Sequence, residues 1–111
     1  MIERAIPKAP RHLDKATRAW FDHVAGRFEM EEHHVRLLTL AGEAWDRGVQ
    51  ARQALSEHGL TFVDKYDCPR PRPEVAIERD SRMAFAKLLK ELALDAALTP
   101  AAPLKSTRKY A

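Results

Sequence analysis

Glu31-Glu32-His33-His34-Val35-Arg36-Leu37-Leu38-Thr39-Leu40-Ala41-Gly42-Glu43-Ala44-Trp45-Asp46-Arg47-Gly48-Val49-Gln50-Ala51-Arg52-Gln53-Ala54-Leu55-Ser56-Glu57-His58, closed by Gly59, is the stretch on which the fold turns. Leu37, Leu38, Ala41, Ala44, Trp45, Gly48, Ala51 and Leu55 recur at helical spacing and form one broad apolar and small-residue face. Gly59 supplies the left-handed stop. A helix over these residues is about 40 Å long at 1.5 Å per residue, more than the diameter of a compact domain of this size. Two shorter helices do not easily cover such a face. Ala41, Ala44, Gly48 and Ala51 let another helix approach closely, so the expected completion is a neighbouring subunit. A monomeric three-helix bundle with a long middle helix is the alternative.

Upstream, Pro7 and Pro10 punctuate an extended arm, and Asp14 reads as the N-cap of a first helix, its carboxylate accepting the free N–H groups of the first turn. Leu13, Ala16, Trp20, Val24 and Phe28 give that helix one apolar face, and Gly26 weakens its end. Downstream, Leu60 to Val63 is too short for a helix and reads as extended, one arm of a small hairpin. Cys68-Pro69-Arg70-Pro71-Arg72-Pro73 reads as a polyproline-like spacer, because each residue before a proline is pushed out of the helical region. A third helix is predicted from about Glu74 to about Leu94, with Ile77, Ala84, Phe85, Leu88, Leu89 and Leu92 inward and Glu78, Arg79, Lys87, Lys90 and Glu91 mostly outward. Thr99-Pro100 can open a short fourth helical turn. The class is therefore mainly all-α: three principal helices, a long central one, and a short extended or hairpin segment between the second and third.

The chain of 111 residues is one domain's worth of sequence. With 45% hydrophobic and 32% charged residues it is a charge-rich globular chain rather than a disordered one. No apolar run approaches a membrane span and no signal segment opens the sequence, which predicts a cytoplasmic protein with no membrane partner. Cys68 is the single cysteine, so no internal disulfide supports the fold. The net charge of +3 is unevenly spread. Residues 1–12 carry Arg4, Lys8 and Arg11 against Glu3, and 99–111 carry Lys105, Arg108 and Lys109 with no acid, while 13–98 hold 13 cations against 15 anions. A basic flexible arm, a near-neutral helical oligomerisation domain and a basic flexible tail are the units this implies, and two basic ends suit a polyanion.

The sequence holds no recognisable catalytic set. His33 and His34 are adjacent on a helix and point about 100° apart, so they do not share a metal as residues four apart do. There is no phosphate-binding loop of the Gly-x-x-x-x-Gly-Lys type and no Gly-x-Ser-x-Gly elbow, and Cys68, between Asp67 and Pro69, has no electropositive helix start to activate it. No enzyme activity and no cofactor are expected. A helix-turn-helix across Glu29-Met30 is disfavoured, because its second helix is far too long and opens on Glu31 and Glu32, which repel phosphates. Arg70-Pro71-Arg72-Pro73 lacks the glycine that minor-groove Arg-Gly-Arg-Pro hooks need for close backbone approach. What remains for a nucleic acid is the arms together with Lys15 and Arg18 beside the first arm.

Leu13-Asp14-Lys15-Ala16-Thr17-Arg18-Ala19-Trp20-Phe21, Glu32 to Leu40 leading to Glu43-Ala44-Trp45-Asp46-Arg47, His58-Gly59-Leu60-Thr61, and Arg72-Pro73-Glu74-Val75-Ala76-Ile77-Glu78-Arg79-Asp80 together resemble the small terminase subunits of tailed bacteriophages. The resemblance covers roughly residues 10–95. Where such proteins often have a glycine-containing turn, this chain has Tyr66-Asp67-Cys68. The resemblance implies a noncatalytic DNA-packaging factor in the cytoplasm of a bacterial host. It would assemble as a homo-oligomeric ring, bind double-stranded viral DNA and control a large terminase subunit that holds the ATPase and nuclease. On that reading Arg4, Lys8, Arg11, Lys15, Arg18, Lys105, Arg108 and Lys109 contact DNA or a partner, and Leu37, Leu40, Ala41, Ala44, Trp45 and Gly48 serve core and subunit packing. A free-standing regulatory DNA-binding protein, or a purely structural helical oligomer, are the alternatives.

Overall fold

The computed structural model describes residues 5–93. Among them the chain runs α1 (Lys15–Arg27), α2 (Glu32–His58), β1 (Thr61–Val63), β2 (Pro69–Pro71) and α3 (Pro73–Leu92). The mainly helical class and an extended arm at β1 are as the sequence predicts, but the second arm of the hairpin, β2, falls on residues read as a polyproline-like spacer: Pro69 and Pro71 take non-hydrogen-bonded ladder positions, where a missing N–H costs nothing. The turn expected at Thr99-Pro100 lies outside the described residues.

Local chemistry sets the element ends. At the start of α2 the Glu31 side chain accepts from the N–H of His34, and the Glu31 N–H donates to His34 Nδ1 at 3.1 Å, a reciprocal capping box in which the imidazole takes the place of a second carboxylate. Gly59 ends α2 at φ +86°, a conformation that costs a side chain but not glycine, while its N–H still donates to the Leu55 carbonyl at 2.8 Å. Pro73 opens α3, where its missing N–H costs nothing.

Asp14 is at the N-cap of α1, but its side chain caps nothing. The cap comes from α2 instead. The buried Asp46 carboxylate accepts the Asp14 N–H at 2.8 Å and the Thr17 hydroxyl through its second oxygen. This exchange also rotates the expected face of α1. Thr17 can be buried because Asp46 satisfies its hydroxyl, so the inward stripe is Leu13, Thr17, Phe21, Val24 and Ala25, with Ala16 exposed and Trp20 half-buried. Close approach at this crossing depends on Gly42, whose absent Cβ would lie 3.0 Å from Leu13 Cδ1 and 3.2 Å from Thr17 Cγ2.

α3 returns antiparallel along α2. Arg52 meets Glu78, Gly48 meets Ser81 and Trp45 meets Phe85 in succession, and Leu38 and Leu92 share one core cluster. The approach expected from a neighbouring subunit at Gly48 is therefore made by α3 of the same chain, since the hairpin turns the chain back along α2. At about 30 Å, α3 covers most of the length of α2. Ile77 and Ala84, expected inward, are exposed, whereas Glu78, expected outward, is turned in between Arg52 at 3.0 Å and Arg82 at 3.1 Å. Those two guanidiniums, Arg82 foremost, hold its carboxyl below the usual glutamate range.

The main core of Leu13, Phe21, Val24, Ala25, Leu38 and Leu92 sits where α1 crosses the first half of α2 and the end of α3. Beyond Ala51 the helix pair extends without α1 to the hairpin. The molecule is accordingly long, 68 × 35 × 21 Å, with a radius of gyration of 18.1 Å. A compact domain of about 100 residues has about 13 Å.

The hairpin is antiparallel, pairing Thr61 with Pro71, Phe62 with Arg70 and Val63 with Pro69. Asp64 organises its tip, accepting the N–H groups of Tyr66 at 2.8 Å and Cys68 at 3.0 Å and the Arg70 Nε–H at 2.9 Å. Asp67 takes the left-handed conformation at φ +65°, a place a glycine often fills and one that Asp tolerates better than most residues.

Candidate nucleic-acid interface

The segment from Ile6 to Ala9 lies back along α1, pinned by the Ala9 N–H to Asp22 Oδ1 at 3.2 Å. At its far end His12 Nε2 meets Glu43 Oε2 at 2.7 Å on α2. The arm and α1 thereby enclose an open groove of about 670 Å³ lined by Ile6, Pro7, Lys8, Ala9, Lys15, Arg18, Ala19 and Asp22. Three of the cations singled out from the sequence, Lys8, Lys15 and Arg18, converge on it. None of the three has an ion-pair partner among the described residues. The acid lining the groove, Asp22, has one oxygen occupied by the Ala9 N–H. The groove is thus a net-positive strip with free ammonium and guanidinium groups, suited to phosphate oxygens. Arg11 is exposed at the end of the arm and does not line the groove. Arg4, Lys105, Arg108 and Lys109 lie outside the described residues.

The residues assigned to packing divide. Ala41 and Gly48 are buried inside the chain, Leu37 and Ala44 are half-buried, and Leu40 and Trp45 are 50% and 45% exposed. Trp45 stands 5.0 Å from the Phe85 ring, which also meets Trp20 at 5.8 Å, and these three with Ala16 and Thr17 line an apolar pocket of about 200 Å³ between α1 and the helix pair. The Arg52 guanidinium lies 5.8 Å from the Trp45 ring centre. On the opposite side, Leu40, Ala44, Ala84 and Leu88 floor an open groove between α2 and α3, with Glu43, Arg47 and Asp80 also lining it. Sequence reading passes over Gly42, Asp46 and Asp22, which build the crossing and the basic groove. A buried Asp one turn from a Gly on an apolar face is the signal for the first two, and Asp22 has none.

Among the described residues no group of three or more His, Cys, Asp or Glu is placed to hold a metal ion, and no helix is long and apolar enough to cross a membrane. No protein-family model, no curated protein and no solved structure matches the chain.

Proposed function

We propose that this chain is a noncatalytic DNA-packaging protein of the small-terminase kind, a homo-oligomer that binds double-stranded DNA and presents it to a large subunit carrying the ATPase and nuclease. The observation that carries the DNA reading is the convergence of Lys8, Lys15 and Arg18, distant in sequence from one another by up to ten positions, on one groove with free cationic groups. The strip contacts phosphates and carries no base-reading element, so binding is largely independent of sequence. One groove binds weakly. Repeated around an oligomer, such strips act on a single duplex and their contacts add into avidity. The resemblance of the four sequence motifs supplies the packaging context, and the exposed Leu40 and Trp45 supply apolar surface for neighbours.

Duplex binding measured from about 50 to 200 mM salt tests this reading. Affinity falls steeply with salt, and Lys15→Ala with Arg18→Ala lowers the slope by about one unit for each phosphate that is no longer neutralised. Salt-independent binding, or a strong preference for one short duplex over scrambled DNA, would instead point to the free-standing regulator. Light scattering giving the mass of one chain would remove the oligomer.

A further inference from the structure

The two edges of the hairpin are chemically unequal. Arg72 N–H donates to the Leu60 carbonyl at 2.8 Å and Asp64 N–H to the Cys68 carbonyl at 3.0 Å, so 60 with 72 and 64 with 68 are hydrogen-bonded pairs. Alternation along an antiparallel ladder then makes Phe62 with Arg70 the hydrogen-bonded pair between them. The backbone N–H and C=O groups of Thr61, Val63, Pro69 and Pro71 therefore point outward. On β2 both outward positions are prolines, which have no N–H, so that edge cannot donate to another strand. On β1 the outward positions are Thr61 and Val63, each with a donor and an acceptor, and no backbone group among the described residues pairs with them. Leu60, Val63 and Tyr66 at this end are all more than 60% exposed.

We propose that β1 is an assembly edge whose occupant is β1 of a second copy of this chain, paired antiparallel about a two-fold axis at Phe62. This rests on the homo-oligomer proposed above and names one of its contacts. The spacing is self-complementary. With the axis at Phe62, Thr61 of one copy lies opposite Val63 of the other, so outward groups meet outward groups and four N–H···O bonds form. The two Phe62 side chains, 39% exposed in the single chain, then face each other at the close, non-hydrogen-bonded position, where aromatic pairs are favourable. The sheet grows from two strands to four and stops, because Pro69 and Pro71 cap both outer edges. Unpaired strand edges promote open-ended association, and these prolines confine it to one pairing. The contact is isologous, so it joins copies two by two.

Cross-linking and mass test this directly. In a Cys68→Ser background, Phe62→Cys places two sulfurs at an antiparallel pair whose Cα separation is about 4.5 Å, within disulfide range. Mild oxidation converts that variant to a disulfide-linked dimer on a non-reducing gel. Thr61→Cys is the control, because its two copies are offset by two residues along the strand and lie beyond about 7 Å. Val63→Pro deletes one outward N–H and leaves the β1–β2 ladder intact, so its light-scattering mass falls to half that of the wild type with unchanged helical circular dichroism. Equal cross-linking of Phe62→Cys and Thr61→Cys, or none by Phe62→Cys, overturns the pairing. A multi-chain mass unchanged by Val63→Pro overturns the pairing while the oligomer stands, and a wild-type mass of one chain overturns both.

Discussion

The two ends of this long molecule are held by different physics. Where α1 crosses α2, Phe21, Ala25, Leu38 and Leu92 are fully buried, and the buried carboxylate of Asp46 is satisfied by the Asp14 N–H and the Thr17 hydroxyl. At the hairpin end Leu60, Val63 and Tyr66 remain exposed, and the shape is set by polar contacts around Asp64 and by Arg52, Glu78 and Arg82. Burial stabilises the first end, whereas the second has a defined conformation and apolar surface left to give to a partner. A two-stranded hairpin alone is marginal in water, so the geometry of the second end depends on its turn chemistry.

The largest effect that would break this contrast comes from the core. Phe21→Ala should cost about 3 to 5 kcal/mol in urea unfolding, a large share of the roughly 5 to 15 kcal/mol typical of a domain. Tyr66→Ala, which removes a 71% exposed ring at the hairpin tip, should change stability by less than about 0.5 kcal/mol. Comparable losses at the two sites would mean that the ends are not held differently.

Next in size is the shared cap. Asp46→Ala leaves a buried hydroxyl and a helix-start N–H without acceptor, and should cost about 1 to 3 kcal/mol. Asp46→Asn keeps one acceptor oxygen and should recover part of it, while Glu43→Ala, which removes only the exposed pairing with His12, should stay within about 1 kcal/mol of wild type. Equal stability of Asp46→Ala and wild type would show that α1 is docked by its apolar stripe alone.

The smallest effect sharpens the account of the hairpin. The Asp64 carboxyl is held below the usual aspartate range, chiefly by the Cys68 N–H, then by the Arg70 guanidinium and the Tyr66 N–H. Because its folded value lies below its unfolded one, the contribution is full at neutral pH and disappears as pH falls through the folded value. The Tyr66 and Cys68 amide resonances should therefore shift together on acidification while those of the helix core hold, and Asp64→Asn should abolish that response. Amides insensitive to acid would assign the turn to backbone preference rather than to the carboxylate.

Much of this was legible in local residue patterns. The spacing from Leu37 to Leu55 and the stop at Gly59 place α2 within one residue of its observed start, and the third helix expected from about Glu74 begins one residue earlier, at Pro73, because propensity, periodicity and caps act over a few neighbouring residues. The cations of the groove were legible as types, though not as a cluster: Lys8 meets Lys15 and Arg18 because the arm lies back along α1, with Ala9 packed against the core and its N–H held by Asp22.

The sequence alone determined that the chain is mainly helical, that α2 is long, that an extended segment at Leu60 to Val63 follows it and that the positive charge lies toward the ends, since each depends on residues close together along the chain. That the prolines after it form the second strand rather than a spacer was decided by pairing with β1. Tertiary structure decided the rest. Thr17 turns inward because Asp46, 29 residues away, accepts its hydroxyl, and Gly48 is filled by Ser81 rather than by another subunit because α3 folds back. The prolines of β2 block an edge only because the register puts them there, leaving Thr61 and Val63 of β1 as the free one. Each outcome was set by a partner distant in sequence, and periodicity along one helix or strand carries no information about which distant residue will arrive opposite it.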